Sequence, residues 1–346
     1  MSHPTKGDTT RQVERIGLDI AKQSFQVHGV DAQGKVVIRK QLSRSKVLAY
    51  FAHLPPCLVG LEACGGAHYW ARELGKLGHE VRLLAVAMIH PYRTGQKNDQ
   101  NDAEAMCEAV SRPRTHFVPV KSEAQQAVLT VPRARELLVT ERTALANQIR
   151  GLLLEYGIVI AQGMQRLRRA LPDLLTTETL PELVREVGTE LRERLGELDR
   201  RIADYDHRIE QLAKQNETTC RLMQVEGIGP ITATAIVATI GTGAAFQHGR
   251  QFAAWLGLVP KQHSTGGKTV LGRITKHGNV YVRTLLMHGA RAVLQFSAKR
   301  TDRKSRWVEA VRHRRGNNIA AVALAAKHAR ILWALLAHGQ EYQLAA

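Results

Sequence analysis

Aromatic side chains are scarce in this chain: Phe, Tyr and Trp together make up 5% of its 346 residues. Stacking on bases is therefore not its main binding mode. Cysteine is scarcer still, with Cys57, Cys64, Cys107 and Cys220 forming no CxxC pair and no zinc-like spacing. That excludes a disulfide scaffold and a zinc finger, and reads as four reduced thiols in a cytoplasmic protein. Uninterrupted apolar runs are missing too. The most apolar late segment, 318–339, is broken by Lys327, His328 and Arg330, so a buried helix is expected there and not a membrane span. The first twelve residues, MSHPTKGDTTRQ, are polar, carry no signal-peptide pattern and are expected to be a disordered tail.

Acids are also in deficit. Against 49 Lys and Arg stand 31 Asp and Glu, a net charge of +18 with pI near 10.1 and no lysine-rich tail to account for it. An excess spread through folded segments implies a polyanionic partner, nucleic acid before a membrane surface, held by phosphate contacts.

Residues 14–41 read as three strands: Ile16, Leu18 and Ile20 alternate with Gly17, Asp19 and Ala21, and Asp31-Ala32-Gln33-Gly34 forms a hairpin turn. A helix near 46–53, a strand at 57–63, a helix at 67–77 and a strand at 80–85 follow. This order predicts an α/β domain with a mixed sheet. Residues 122–157 read as a helix, and 158–181 as irregular with Pro-bearing loops. Leu191, Leu195, Leu198, Ile202, Tyr205, Ile209 and Leu212 then repeat at 4-3-4-3-4-3, a coiled-coil seam that pairs either within the chain or with another subunit.

Chemistry concentrates at Lys97-Asn98-Asp99-Gln100-Asn101-Asp102, where two carboxylates stand three apart at the start of an Ala-rich helix. Residues three apart share a helix face, so Asp99 and Asp102 repel unless a metal, a Lys or Arg, or open water lies between them. A helix cap is the competing role for Asp102. Asp19 and Glu62 each follow a glycine by two residues on a strand, Gly17 and Gly60. The bare glycine face leaves room for a metal or phosphate beside each acid, although a turn role would suit Asp19 taken alone. If the two strand ends and the helix meet, the four carboxylates require cations. Mg²⁺, with Mn²⁺ able to replace it, suits such hard oxygen ligands, and a pair of metals would clamp a phosphodiester.

Further along, Gly227-Ile228-Gly229-Pro230 precedes an Ala/Thr/Ile-rich helix. This is the pattern of a helix-hairpin-helix whose backbone N–H groups hold phosphate, or of a plain interhelical turn. From Lys261 to Arg315 there are 14 Lys and Arg, including Lys261, Lys268, Arg273, Lys276 and Arg283, opposed only by Asp302 and Glu309. Within this stretch Ser264 sits in Gln262-His263-Ser264-Thr265-Gly266-Gly267-Lys268. It is a candidate nucleophile if Lys261, His263, Lys268 and Arg273 stabilise phosphate charge; otherwise it belongs to a flexible basic loop.

Taken together, these blocks resemble the DEDD transposases of insertion sequences, relatives of the Piv-type DNA invertases and members of the bridge-RNA-guided recombinases. The resemblance rests on Ile16-Gly17-Leu18-Asp19, Leu61-Glu62-Ala63, Lys97–Ala103, Arg150–Gly157, Gly227–Pro230, Trp255–Pro260 and Gln262–Lys268, in order over almost the whole chain and without departure at any motif position. It implies three domains and a short tail. Residues 1–12 are the tail, 13–120 a RuvC-like, ribonuclease H-type domain, 121–217 a helical coiled-coil region, and 218–346 a helical transposase domain carrying the serine. It further implies Mg²⁺ held by Asp19, Glu62, Asp99 and Asp102, and attack of Ser264 on DNA through a phosphoserine link. Gly227, Gly229 and the basic residues would contact nucleic acid. The implied partners are donor and target DNA, a non-coding guide RNA, and further copies of the chain as a dimer assembling to a tetramer, in the bacterial cytoplasm near the nucleoid. A RuvC-like nuclease or Holliday-junction resolvase using water is the competing activity.

Overall fold

The computed structural model describes residues 12–96, 98–113 and 115–343. Residues 1–11 of the expected tail, together with Lys97, lie outside the described residues. The described residues form two compact units, one within 12–123 and 239–340, the other within 124–238 and 341–343.

The first unit begins with β1 (Arg15–Ile20), β2 (Ser24–Val30), β3 (Val36–Ser43), α1 (Val47–Ala52), β4 (Leu58–Glu62), α2 (Ala67–Lys76), β5 (Glu80–Leu84), α3 (Val86–Ile89), α4 (Asp99–Val110) and β6 (Phe117–Val118). The strands form a six-stranded sheet in the order β3-β2-β1-β4-β5-β6. The β1–β4 and β4–β5 pairs are parallel, and the others are antiparallel. The mixed sheet expected from the sequence is present.

Strand alternation divides the sheet into two faces. Ile16 and Leu18 of β1 and Val59 and Leu61 of β4 join Phe25, Phe51, Trp70 and Leu74 in a core beneath α1 and α2. The opposite face carries Gly17, Asp19, Gly60 and Glu62, and α4 lies on it, burying Ala105, Met106, Ala109 and Val110 with Leu84 and Ile89.

The second unit contains α5 (Glu123–Leu154), α6 (Met164–Thr176), α7 (Glu182–Lys214), α8 (Glu217–Met223) and most of α9 (Pro230–Ile240). The heptad seam is satisfied inside the chain: Leu195, Leu198 and Ile202 of α7 share a core with Leu138, Leu145 and Ile149 of α5. Arg135 pairs with Asp206, and Arg142 with Asp199 at 3.0 Å, so α5 and α7 run antiparallel. The stretch 158–181, expected to be irregular, contains α6. Pro172 and Gly163 argue for a loop locally, but Leu167, Leu171 and Leu175, four residues apart, are buried in the same core and override them.

The first unit resumes with α10 (Gly249–Trp255), β7 (Pro260–Thr265), β8 (Lys268–Ile274), α11 (Val280–Leu294), α12 (Arg303–Arg315) and α13 (Asn317–His338). Helix α13 is long and apolar enough to cross a membrane, yet Ala321, Leu324, Ala325, Ala329 and Leu332 are buried in the protein's own core. The interruption by Lys327, His328 and Arg330 was the correct guide. Gln251 of α10 hydrogen-bonds His116 beside β6 at 3.1 Å, joining this helical region to the sheet.

Candidate active site

Parallel pairing sets Gly17 opposite Gly60 and Leu18 opposite Leu61. Asp19 and Glu62 are each the next residue, side by side at the carboxyl ends of adjacent parallel strands, the usual place for function in an open α/β sheet. Both are half-buried, and both share the face covered by α4.

The glycines do a different job from the one expected. A Cβ at Gly17 would overlap the carbonyl oxygen of Ala103, and one at Gly60 would lie 2.8 Å from Val110 Cβ. The space is filled by α4 and not by a metal or phosphate. The missing side chains let the helix backbone settle onto the sheet, which brings its first turn to the level of Asp19. Gly17→Ala is therefore expected to cost about 3 kcal/mol, because its clash is with helix backbone and no rotamer relieves it. Urea unfolding checks this.

The start of α4 resolves the cap question. Asn98 is the N-cap, its Oδ1 accepting the Asn101 N–H at 2.8 Å. Asp99 and Asp102 are thereby released from capping. Arg93 Nη1 stands 3.3 Å from Asp102 Oδ1 and is the one cation paired with it among the described residues. Sequence reasoning passed over Arg93, which has no signal except nearness to the acidic pair.

The four carboxylates act on one another. Asp19 is pushed up to about 6, first by burial and then by the charges of Asp99, Asp102 and Glu62. The three elements thus bring the predicted acids into one electrostatic cluster. Among the described residues no three of them converge on a single ligating point. A divalent cation fits the chemistry of this donor set: the oxygens are hard, and a cation would offset the burial and the neighbouring charges that raise Asp19.

Ser264 lies in a different setting. The expected loop is a β-hairpin, with Ser264 opposite Thr269 and Thr265 opposite Lys268. Gly266 and Gly267, at φ of 52° and 75°, form the two-residue turn. Two adjacent glycines at positive φ are the usual signal for such a turn, and it was present in the sequence. Ser264 is exposed; its Oγ accepts from Gln262 Nε2 at 2.8 Å and donates to Thr269 Oγ1 at 3.3 Å. Alternation puts Gln262, Ser264, Thr269 and Leu271 on one face, and His263, Thr265, Lys268 and Val270 on the other. His263 and Lys268 therefore do not flank Ser264, contrary to the expectation from sequence. Both partners of Ser264 among the described residues are on the hairpin, and neither is an acid of the cluster.

The remaining predicted residues are dispersed. Lys261 and Arg273 lie on the hairpin strands and Lys276 just after them, at φ 58°. Arg283 of α11 donates to the carbonyls of Leu256 (2.9 Å) and His277 (3.0 Å), which fastens that loop to the end of α10. Gly227, at φ 78°, and Gly229 form the turn from α8 into α9.

Residues 16–158 match the DEDD transposase model of IS110 elements, and residues 220–305 match the model of the IS116/IS110/IS902 transposase family. A probable family 20 transposase of Pseudomonas aeruginosa is 52% identical over 96% of this chain and 99% of its own length. The transposase of insertion sequence IS1111A from Coxiella burnetii is 42% identical over 97% and 93%. That of IS1328 from Yersinia enterocolitica is 38% identical over 94% and 98%. A six-stranded nuclease-like sheet carrying the acids, a helical C-terminal region and relatives matched end to end agree: the chain is an insertion-sequence transposase and belongs to the IS110 family.

Proposed function

We propose that the chain cuts and rejoins DNA with two centres, the acids Asp19, Glu62, Asp99 and Asp102 and the nucleophile Ser264. The placement of Asp19 and Glu62 side by side at the ends of paired strands, with Asp99 and Asp102 on the helix packed against that face and near enough to add to the effect of burial on Asp19, is the observation that carries this reading. Asp19, Glu62, Asp99 and Asp102 would hold Mg²⁺ or Mn²⁺, which when bound supplies charge neutralisation at the phosphodiester. Ser264 Oγ then forms a bond to phosphorus as the bond to one deoxyribose oxygen breaks. The hydroxyl proton passes to solvent, and the departing deoxyribose oxygen takes one up from solvent. The reverse attack by a deoxyribose hydroxyl of another strand restores the serine and completes the exchange.

The basic C-terminal region, with Lys261, Lys268, Arg273, Lys276 and Arg283, holds nucleic acid, and the Gly227–Gly229 turn contributes as a helix-hairpin-helix. An RNA made by the element supplies the sequence recognition, which accords with a charge of +18 and few aromatics for reading bases. Two or four copies assemble, so that acids and serine from different subunits meet on one phosphate. Residues 13–120, 121–217 and 218–346 serve as catalytic, spacer and serine-bearing domains.

One observation favours a second reading. The Ser264 hydroxyl has only neutral hydrogen-bond partners among the described residues, with no base to activate it. A RuvC-like nuclease or junction resolvase that uses water is the activity that follows if the serine is structural. The experiment that separates the two is incubation with element-end DNA, guide RNA and Mg²⁺, quenched in detergent. A detergent-resistant protein–DNA band supports the serine reading. Cleaved DNA without such a band supports the nuclease.

A further inference from the structure

The helical region holds a large open cavity of about 1290 Å³, formed entirely by residues between Arg250 and Arg330. Small-molecule pockets run to roughly 300–1,000 Å³, so this one suits a segment of polymer. Its walls and floor differ in character. Arg250, Arg273, Arg291 and Arg315 line it from four different elements, and among the described residues no carboxylate does. Among the described residues, these four guanidiniums have no ion pair. Between them lies an apolar surface that includes Leu271, Ile319, Val322 and Trp307. Leu271 is 60% exposed and Ile319 46% exposed, although each sits next to charged groups.

A surface that only tracks duplex phosphates needs cations but has no use for a recessed apolar floor. A duplex keeps its bases stacked and paired, away from the protein surface. An unpaired strand offers both parts, phosphates for the arginines and base faces for the floor. Strand alternation adds a direction. Leu271 shares the Ser264 face of the hairpin, so the cavity opens onto the side where the hydroxyl points.

We infer that this cavity binds an unpaired segment of nucleic acid, phosphates on Arg250, Arg273, Arg291 and Arg315 and bases on the floor around Ile319 and Leu271. The inference rests on the reading of the basic C-terminal region as a nucleic-acid surface and adds what form of nucleic acid it takes. The ligand chemistry is common to single-stranded DNA and RNA.

The test uses the full chain and its Ile319→Lys and Leu271→Lys variants, both at exposed positions that leave the fold intact, with thermal melting as the check. Fluorescence anisotropy is read with a labelled mixed-sequence single strand, as DNA and as RNA, and with the matching duplex. Each variant adds a cation, so a surface that binds phosphates alone binds more tightly. The inference predicts the opposite for single strands, about tenfold weaker binding, with duplex binding unchanged or tighter. Whichever of the DNA and RNA strands loses affinity is the occupant. Single-strand binding that is unchanged or tighter in both variants overturns the inference and leaves the nucleic-acid surface standing. Failure of the parent chain to bind any of the three probes overturns both.

Discussion

An Asp19→Asn chain is expected to lose strand cleavage about a thousandfold and yet to melt at a higher temperature than the parent in metal-free buffer at neutral pH. The loss follows if Asp19 is one of the proposed cation ligands, because a cation's effect on a developing phosphate charge is several kcal/mol, and about 4 kcal/mol is a thousandfold in rate. The gain in stability has a separate cause. Burial and the charges of Asp99, Asp102 and Glu62 raise the folded carboxyl from 3.8 to about 6. Between those values the folded chain binds more protons than the unfolded one, so stability falls as pH rises through that window. At neutral pH the ionised Asp19 costs on the order of 1 kcal/mol, allowing for screening of a half-exposed group. Asparagine removes that cost, worth a rise of about 1–2 °C in melting temperature at neutral pH and nothing near pH 4. Added Mg²⁺ should raise the melting temperature of the parent more than that of the variant. A variant less stable than the parent at neutral pH would mean that the acids are not a repelling cluster.

Ser264→Ala is expected to abolish strand exchange and the covalent adduct, while Thr265→Ala keeps both within a few-fold. The two hydroxyls are adjacent in the chain, so Thr265 is the control for Ser264. The hairpin separates them: Ser264 pairs with Thr269 on one face, and Thr265 pairs with Lys268 on the other. A phosphate approaching from one side meets one hydroxyl, not both. Both positions are exposed, so neither change should move stability by more than about 0.5 kcal/mol. Loss of activity in Ser264→Ala then reports chemistry and not folding. Strand-exchange assays on the two variants with the same guide and donor DNA supply the comparison.

How far the sequence could be read depended on whether the deciding contacts were local. The order of strands and helices around Asp19 and Glu62 was legible because period-two alternation in residues 14–41 and short turn signals act within a few residues. The acidic pair was legible because Asp99 and Asp102 share a helix turn. The purpose of Gly17 was not. Its neighbour, Ala103, is far away in the chain, and the same missing side chain serves a ligand or a helix equally well. Helix α6 was hidden because Pro172 and Gly163 are local signals for a loop, whereas the burial of Leu167 and Leu171 against other helices is not a local fact. At Ser264 the two-glycine turn was in plain view. A flexible loop and a hairpin share that local signal, and only the strand pairing places His263 and Lys268 on the face opposite Ser264. Arg250 and Arg330, at the edges of the basic cavity, lie outside the dense charge run and become relevant only when α10 and α13 meet.

The central claim, that a serine on the C-terminal hairpin completes what the four acids begin, is tested most directly by mapping the covalent protein–DNA species. Element-end DNA, guide RNA and Mg²⁺ are combined with the chain, the reaction is stopped in denaturant, and nuclease- and protease-trimmed peptides are analysed by mass spectrometry. The account predicts a nucleotide linked through phosphate to Ser264. A nucleotide on Thr265 or another residue, or DNA processed at full rate with no linked peptide, would contradict it.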